Sequence, residues 1–149
     1  MDFEKSIERL NKLLRGELSA TETYRMAIEK VKNPDYLRIL RDNLQVHERK
    51  VTKIRDYVVR LGGQPSEGSG VWDAWSKLFV GGAQVFDEDA AIGALKEGED
   101  QGLRDYRDTV RVTDLDTDVL HFVNTDLLPD QERTHSALSV LKQRGRAPV

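Results

Sequence analysis

Two glutamates and a short acid-to-histidine step are the residues of this chain best placed to do chemistry. Glu17 and Glu99 each interrupt a stripe of apolar residues, where a carboxylate is costly to desolvate unless it meets a cation, a strong hydrogen-bond donor or a proton. Glu132 and His135 stand three residues apart, which puts both side chains on one side of a helix. One glutamate from each of two helices, plus Glu-x-x-His from each of two others, is the set with which helical bundles hold two iron or two manganese ions. Carboxylates bridge and neutralise the ions, and neutral imidazole completes the coordination shell. An open position on such a centre activates dioxygen or peroxide, the protein supplying geometry and a dry pocket. Glu17, Glu99, Glu132 and His135 match most of that set, and the second helix offers His47 and Glu48. These two are adjacent and so lie about 100° apart around the helix. Counting from Glu48 by analogy with Glu132 puts Val51 in the histidine position; counting back from His47 puts Leu44 in the glutamate position. Either register loses a ligand.

The same residues have a metal-free reading. A seam glutamate hydrogen-bonds to Tyr24 or Tyr106, which follow Glu17 and Glu99 by two helical turns, or pairs with His47 or His135. The two readings predict different mutants. With metal, Glu99→Ala destabilises only when the ion is present; without it, Glu99→Leu is expected to be neutral or stabilising in any buffer. His121, several turns from the other histidines, reads as a surface or boundary residue.

Four helices must position these groups. Phe3, Ile7, Leu10, Leu14, Thr21, Tyr24, Ile28 and Val31 recur three and four apart, with Glu17 on the same seam, and predict a helix over about 2–32. Asn33-Pro34 ends it and starts a second helix over about 34–61, whose seam of Leu37, Leu40, Leu44, His47, Val51, Ile54, Val58 and Leu61 stops at Gly62-Gly63. A third, over about 87–112, carries Ile92, Leu95, Glu99, Leu103, Tyr106 and Val110 behind an acidic start. The fourth, over about 116–143, carries Leu120, Val123, Leu127, His135, Leu138 and Leu141, and Pro129 is expected to kink it. Residues 62–86 form a connection far longer than neighbouring antiparallel helices need, and VWDAWSKLFVGG within it reads as a short amphipathic helix whose Trp72 and Trp75 glue the connection to the bundle. Two hairpins joined by one long crossover make the expected fold all-α, a ferritin-like four-helix bundle, in a single domain over 1–149.

The halves look duplicated. GELSATETYR (Gly16 to Arg25) and GEDQGLRDYR (Gly98 to Arg107) repeat Gly-Glu and Tyr-Arg at one separation, which sets Glu17 opposite Glu99 by pseudo-two-fold symmetry. GGQP after the second helix, the tryptophan-containing connection and ALKEGEDQGLRDYR in the third resemble a bacterial family of four-helix-bundle proteins, a domain of unknown function within the ferritin-like superfamily. The resemblance implies the fold and says little about activity.

Composition narrows the partners. At 149 residues with 38% hydrophobic content, one domain buries a core without staples. Zero cysteines exclude disulfides and thiolate chemistry and fit a reducing, cytoplasmic setting. No apolar run approaches the length of a membrane span, and the N-terminal stretch has no signal-like core. A net charge of −3, with both signs mixed along every segment, offers no basic stripe for nucleic acid and no polybasic membrane anchor. Two functions follow as expectations. One is a non-haem di-iron or di-manganese protein for oxygen, peroxide or metal handling, held by Glu17, Glu99, Glu132, His135 and His47 or Glu48. The other is a cofactor-free helical interaction or stress-related protein, a homodimer among its options, whose polar layer sets helix register.

Overall fold

The computed structural model describes residues 3–68 and 88–146. Helix α1 spans Glu4–Lys30 and α2 spans Pro34–Arg60. The turn between them is built by Asn33, whose side chain accepts hydrogen bonds from the N–H groups of Asp35 and Tyr36, with Pro34 in the first helical position. Helix α2 ends on Gly62 at φ +85°, and Gly63 N–H donates to Val58 O while Gly62 N–H donates to Val59 O. This paired return closes the last turn and requires the left-handed backbone that glycine adopts without strain. Helix α3 spans Glu88–Val110, and Glu88 in its first turn accepts from the N–H groups of Lys32 and Asn33, tying the start of α3 to the α1–α2 turn. Helix α4, Thr117–Phe122, is capped by Asp116; a π-helical turn, Val123–Leu127, follows, and α5 covers Leu128–Arg146.

The proline in the last helix explains the π-turn. In an uninterrupted α-helix Pro129 would offer no N–H to the preceding turn, and its ring would press on that turn's carbonyl. Widening the turn just ahead of it, with Leu128 N–H reaching back to Val123 O, relieves the crowding. The extra residue also changes which positions face inward, since Val119, Val123, Leu127 and Gln131 are all buried at steps of four.

The apolar core lies in two clusters. One joins Leu10 and Leu14 of α1, Ile54 and Val58 of α2, and Val119, Val123 and Leu127 around the π-turn. The other joins Ala20, Ala27 and Val31 of α1, Leu40 of α2, Ile92 and Leu95 of α3, and Leu138 and Leu141 of α5. Each cluster takes the start of some helices and the end of others, so α1 and α5 run one way along the bundle while α2 and α3 run the other. Helix α2 therefore ends, and α3 begins, at opposite ends of the bundle: Gly63 sits against Ile7, whereas Glu88 sits at Lys32. The segment containing Trp72 and Trp75 lies outside the described residues. No described helix is long and apolar enough to cross a membrane.

Candidate functional site

Between the two apolar clusters lies a layer of polar side chains drawn from every long helix. Glu17 of α1, His47 and Lys50 of α2 and Glu99 of α3 are each no more than 4% exposed. His47 bridges the two carboxylates, with Nδ1 2.5 Å from Glu17 Oε1 and Nε2 2.7 Å from Glu99 Oε1. Lys50 Nζ lies 2.8 Å from Glu17 Oε2, donates to Gln131 Oε1 at 2.5 Å and stands 4.9 Å from the centre of the Tyr106 ring. The tyrosines cross over between helices. Tyr24 of α1 donates to Glu99 of α3 at 2.6 Å, and Tyr106 of α3 donates to Glu17 of α1 at 2.5 Å. This exchange is what antiparallel α1 and α3, each carrying a tyrosine two turns after its glutamate, produce. Helix α5 completes the layer, with Thr134 Oγ1 donating to Glu99 Oε2 at 2.7 Å and Gln131 Nε2 at 2.9 Å. Asn43 Nδ2 donates to Tyr24 OH at 3.0 Å and to Thr134 O at 3.1 Å.

Every carboxylate oxygen of Glu17 and Glu99 is thus engaged by a protein donor, and no buried side-chain nitrogen or oxygen among the described residues lacks a partner. An imidazole with a carboxylate at each nitrogen donates at both and carries a proton on each. Two carboxylates, one imidazolium and one ammonium then cancel. Burial pushes the Glu17 carboxyl up, but the Lys50 and His47 charges and their hydrogen bonds outweigh it and hold Glu17 down at about 2. For Glu99 burial is again opposed and overcome, first by His47, and its carboxyl is lowered. Burial disfavours the His47 charge, yet Glu17 and Glu99 raise its proton affinity above the ordinary 6.5 against a smaller push down from Lys50. Tyr24 and Tyr106 are raised by burial and by the carboxylates they bond, which keeps both as donors. Beside the layer is a cavity of about 10 Å³ lined in part by Gly16, Glu17, His47, Gly102 and Gln131, room for about one water.

The family model described as a domain of unknown function, DUF2383, matches residues 5–112. The chain belongs to the DUF2383 family. The DUF2383 match takes in α1, α2 and α3, and with them Glu17, His47, Lys50 and Glu99, whereas Gln131 and Thr134 lie beyond it. Neither the curated proteins nor the solved structures contain a significant match.

Of the six expected ligands, the structure brings together Glu17, His47 and Glu99. Helix α2 turns His47 inward and Glu48 outward, where Glu48 is about half exposed and 3.6 Å from Arg25. Glu132 is exposed, and His135 is turned to the α3 surface, 2.6 Å from Asp100, which Lys96 also contacts. The reason is a one-residue difference in register: stepping from Leu127 to Leu138 by fours and threes lands on Gln131 and Thr134, not on Glu132 and His135. Leu120, expected on the seam, gives way to Val119 for the same reason, while His121 is exposed as expected. Sequence reasoning missed Asn43, Lys50, Gln131 and Thr134. Asn43 and Lys50 stand four before and three after His47 on the same helix face, a spacing that puts them beside it but does not by itself mark a lysine as buried. The layer does not fit a two-metal centre: three expected ligands face elsewhere, and an ammonium sits against Glu17. Among the described residues no group of three or more histidine, aspartate or glutamate side chains is arranged to hold a metal ion.

Proposed function

We propose that this chain is a ferritin-like bundle that works without a metal, as a helical interaction protein whose buried ionic layer fixes the pairing and register of its helices. The observation that carries this reading is the engagement of all four carboxylate oxygens of Glu17 and Glu99 by side-chain donors, with Lys50 supplying the second cation. A layer satisfied in this way is a specificity device: sliding one helix by a turn would leave buried charges unpaired, a penalty that an apolar core does not impose. Support for the ferritin-like arrangement comes from the helix directions, α1 and α5 against α2 and α3, which are those of a bundle with one long crossover. Cysteine-free composition supports a reducing, cytoplasmic setting. Recognition then falls to the outer faces and to the segment with Trp72 and Trp75, side chains of the kind that anchor interfaces, with a second copy of the chain as the simplest partner.

Two measurements test the reading. Elemental analysis, on protein purified without an affinity metal column and again after anaerobic incubation with ferrous iron and desalting, should find well under one equivalent retained. One or two equivalents, lost in Glu99→Ala, would overturn it. Light scattering coupled to size exclusion should then show a specific oligomer that Trp72→Ala/Trp75→Ala dissociates with helical content unchanged; a monomer at all concentrations excludes the homodimer.

A further inference from the structure

Glu132 and His135, turned away from the ionic layer, share a cleft at the surface with two arginines. The cleft is open, has a volume of about 310 Å³ and is lined by Asp100, Arg104 and Arg107 of α3 and by Glu132, His135 and Ser136 of α5. Its donors are held in place by polar partners. Arg104 Nη2 donates to Gln101 Oε1 at 2.8 Å, and Gln101 Nε2 donates to Asp105 Oδ1 at 3.0 Å, so the guanidinium is tied to a carboxylate that is itself buried. His135 Nε2 lies 2.6 Å from Asp100 Oδ1, which Lys96 Nζ also contacts at 2.5 Å. Long charged side chains at a surface ordinarily keep their rotamer freedom, since fixing them costs entropy and an exposed pair returns little. Donors fixed by a second set of polar groups are what a preorganised site for an oxyanion requires. The charge points the same way. Lys96 offsets Asp100, and among the described residues Arg104 and Arg107 have no ion pair, although they stand three residues apart on α3 as neighbouring like charges. Two guanidiniums thus share the cleft with one unpaired carboxylate, Glu132.

We propose that this cleft binds the phosphoryl group of a small organic phosphate, with Arg104, Arg107 and His135 as its donors and Glu132 accepting from a hydroxyl or amine of the same ligand. A guanidinium presents parallel N–H donors that match phosphate oxygens. A tetrahedral phosphoryl group has three outer oxygens and takes donors from both walls of a cleft, whereas a planar carboxylate is filled by one guanidinium. The volume of about 310 Å³ is at the lower end of small-molecule sites, about 300–1,000 Å³, and suits a ligand of few atoms. None of the lining residues belongs to the ionic layer, so the inference stands apart from the metal-free reading.

The test is titration of the full chain with inorganic phosphate at constant ionic strength, read by the amide NMR shifts of residues 100–107 and 132–136. Saturable shifts confined to these residues are expected. Arg104→Gln/Arg107→Gln should weaken binding at least about tenfold, the worth of one charge-assisted hydrogen bond. Gln101→Leu keeps every charge but releases Arg104, and should weaken it about twofold to tenfold, the worth of a neutral hydrogen bond. Arg9→Gln/Lys12→Gln takes the same charge from α1 and should leave the affinity within about twofold, because screening confines each charge to its own surroundings. Glycerol 3-phosphate should bind more tightly than inorganic phosphate, and Glu132→Gln should erase the difference. Shifts that do not saturate, or that fall as far in the α1 variant as in the α3 variant, are diffuse attraction and overturn the site. Acetate binding as tightly as phosphate overturns the phosphoryl assignment, and glycerol 3-phosphate binding no more tightly overturns the role of Glu132.

Discussion

Replacing Glu99 by leucine tests the layer most directly, because Glu99 is the acceptor on which most of its donors converge. The side chain is 0% exposed, and its two oxygens accept from Tyr24, His47, Gln131 and Thr134. Leucine is close to glutamate in volume, so the substitution makes little cavity. What it removes is acceptor capacity. Thr134 retains a bond to Gln131 O at 3.1 Å, and Gln131 retains one to the main-chain oxygen of residue 99 at 3.2 Å. Tyr24 OH and His47 Nε2 lose their acceptor. An orphaned buried donor costs about 1–3 kcal/mol, and a charge-assisted hydrogen bond is worth about 1.5–3 kcal/mol. Apolar burial of the new leucine returns about 1.5–3 kcal/mol. These terms leave about 2 kcal/mol, and the uncompensated positive charge then left buried on His47 and Lys50 takes the loss to about 3–5 kcal/mol, the range in which removing one member of a buried ion pair falls. This reverses the expectation of a neutral or stabilising Glu99→Leu in a metal-free layer, which holds only where all partners are replaced together. Urea unfolding at neutral pH with a chelator present should show the full loss, and the melting temperature should fall by about 10 °C, at 2–4 °C per kcal/mol for a domain of this size. Glu99→Gln, which keeps an acceptor for Tyr24, should lose less. A Glu99→Leu protein within 0.5 kcal/mol of wild type in the chelator would refute the hydrogen-bonded layer described here.

The layer also sets the pH dependence. Glu17 is held near 2 against an ordinary 4.5, so its contribution of about 3 kcal/mol is complete above 4.5 and lost as pH falls toward 2. His47, facing Glu17, Glu99, Lys50 and Tyr24, has its proton affinity raised, so its contribution is complete below 6.5 and lost as pH rises through its folded-state value. Urea midpoints measured across pH should therefore peak between these limits, and His47→Gln should remove the alkaline decline while leaving the acid one; an unchanged alkaline limb would show that another group carries it. The glycines of α3 should respond in opposite directions. A Cβ on Gly93 meets nothing within 4 Å, so Gly93→Ala should stabilise by about 0.5–1 kcal/mol, whereas a Cβ on Gly102 would stand 2.7 Å from Gln131 Nε2. Gly102→Ala should forfeit that gain by displacing Gln131 from Glu99, and denaturation of the two variants side by side checks the difference.

Spacing in the sequence placed Glu17, Glu99 and His47 on buried faces because helical periodicity depends only on local geometry. In the last helix Glu132-Arg-Thr-His135 carries a chemical pattern that competes with the simple step from Leu127 to Leu138, and it is that step which sets the buried face. The π-turn ahead of Pro129 compounds the difficulty, since one extra residue rotates the inward face and no pattern of residue types announces it.

Four helices, their ends at Asn33-Pro34 and Gly62, the all-α class and the pairing of Glu17 with Glu99 follow from the sequence alone, because caps, breakers and apolar spacing act within a few residues. Which cation meets those glutamates was decided only in the tertiary structure. Lys50, like any lysine in a charged helix, reads as a solvated side chain until α1, α3 and α5 close around it, and its burial is offset by Glu17 from one helix and Gln131 from another. Those partners lie 33 and 81 residues away. Interactions over such separations depend on how the helices pack, and local periodicity holds no record of them.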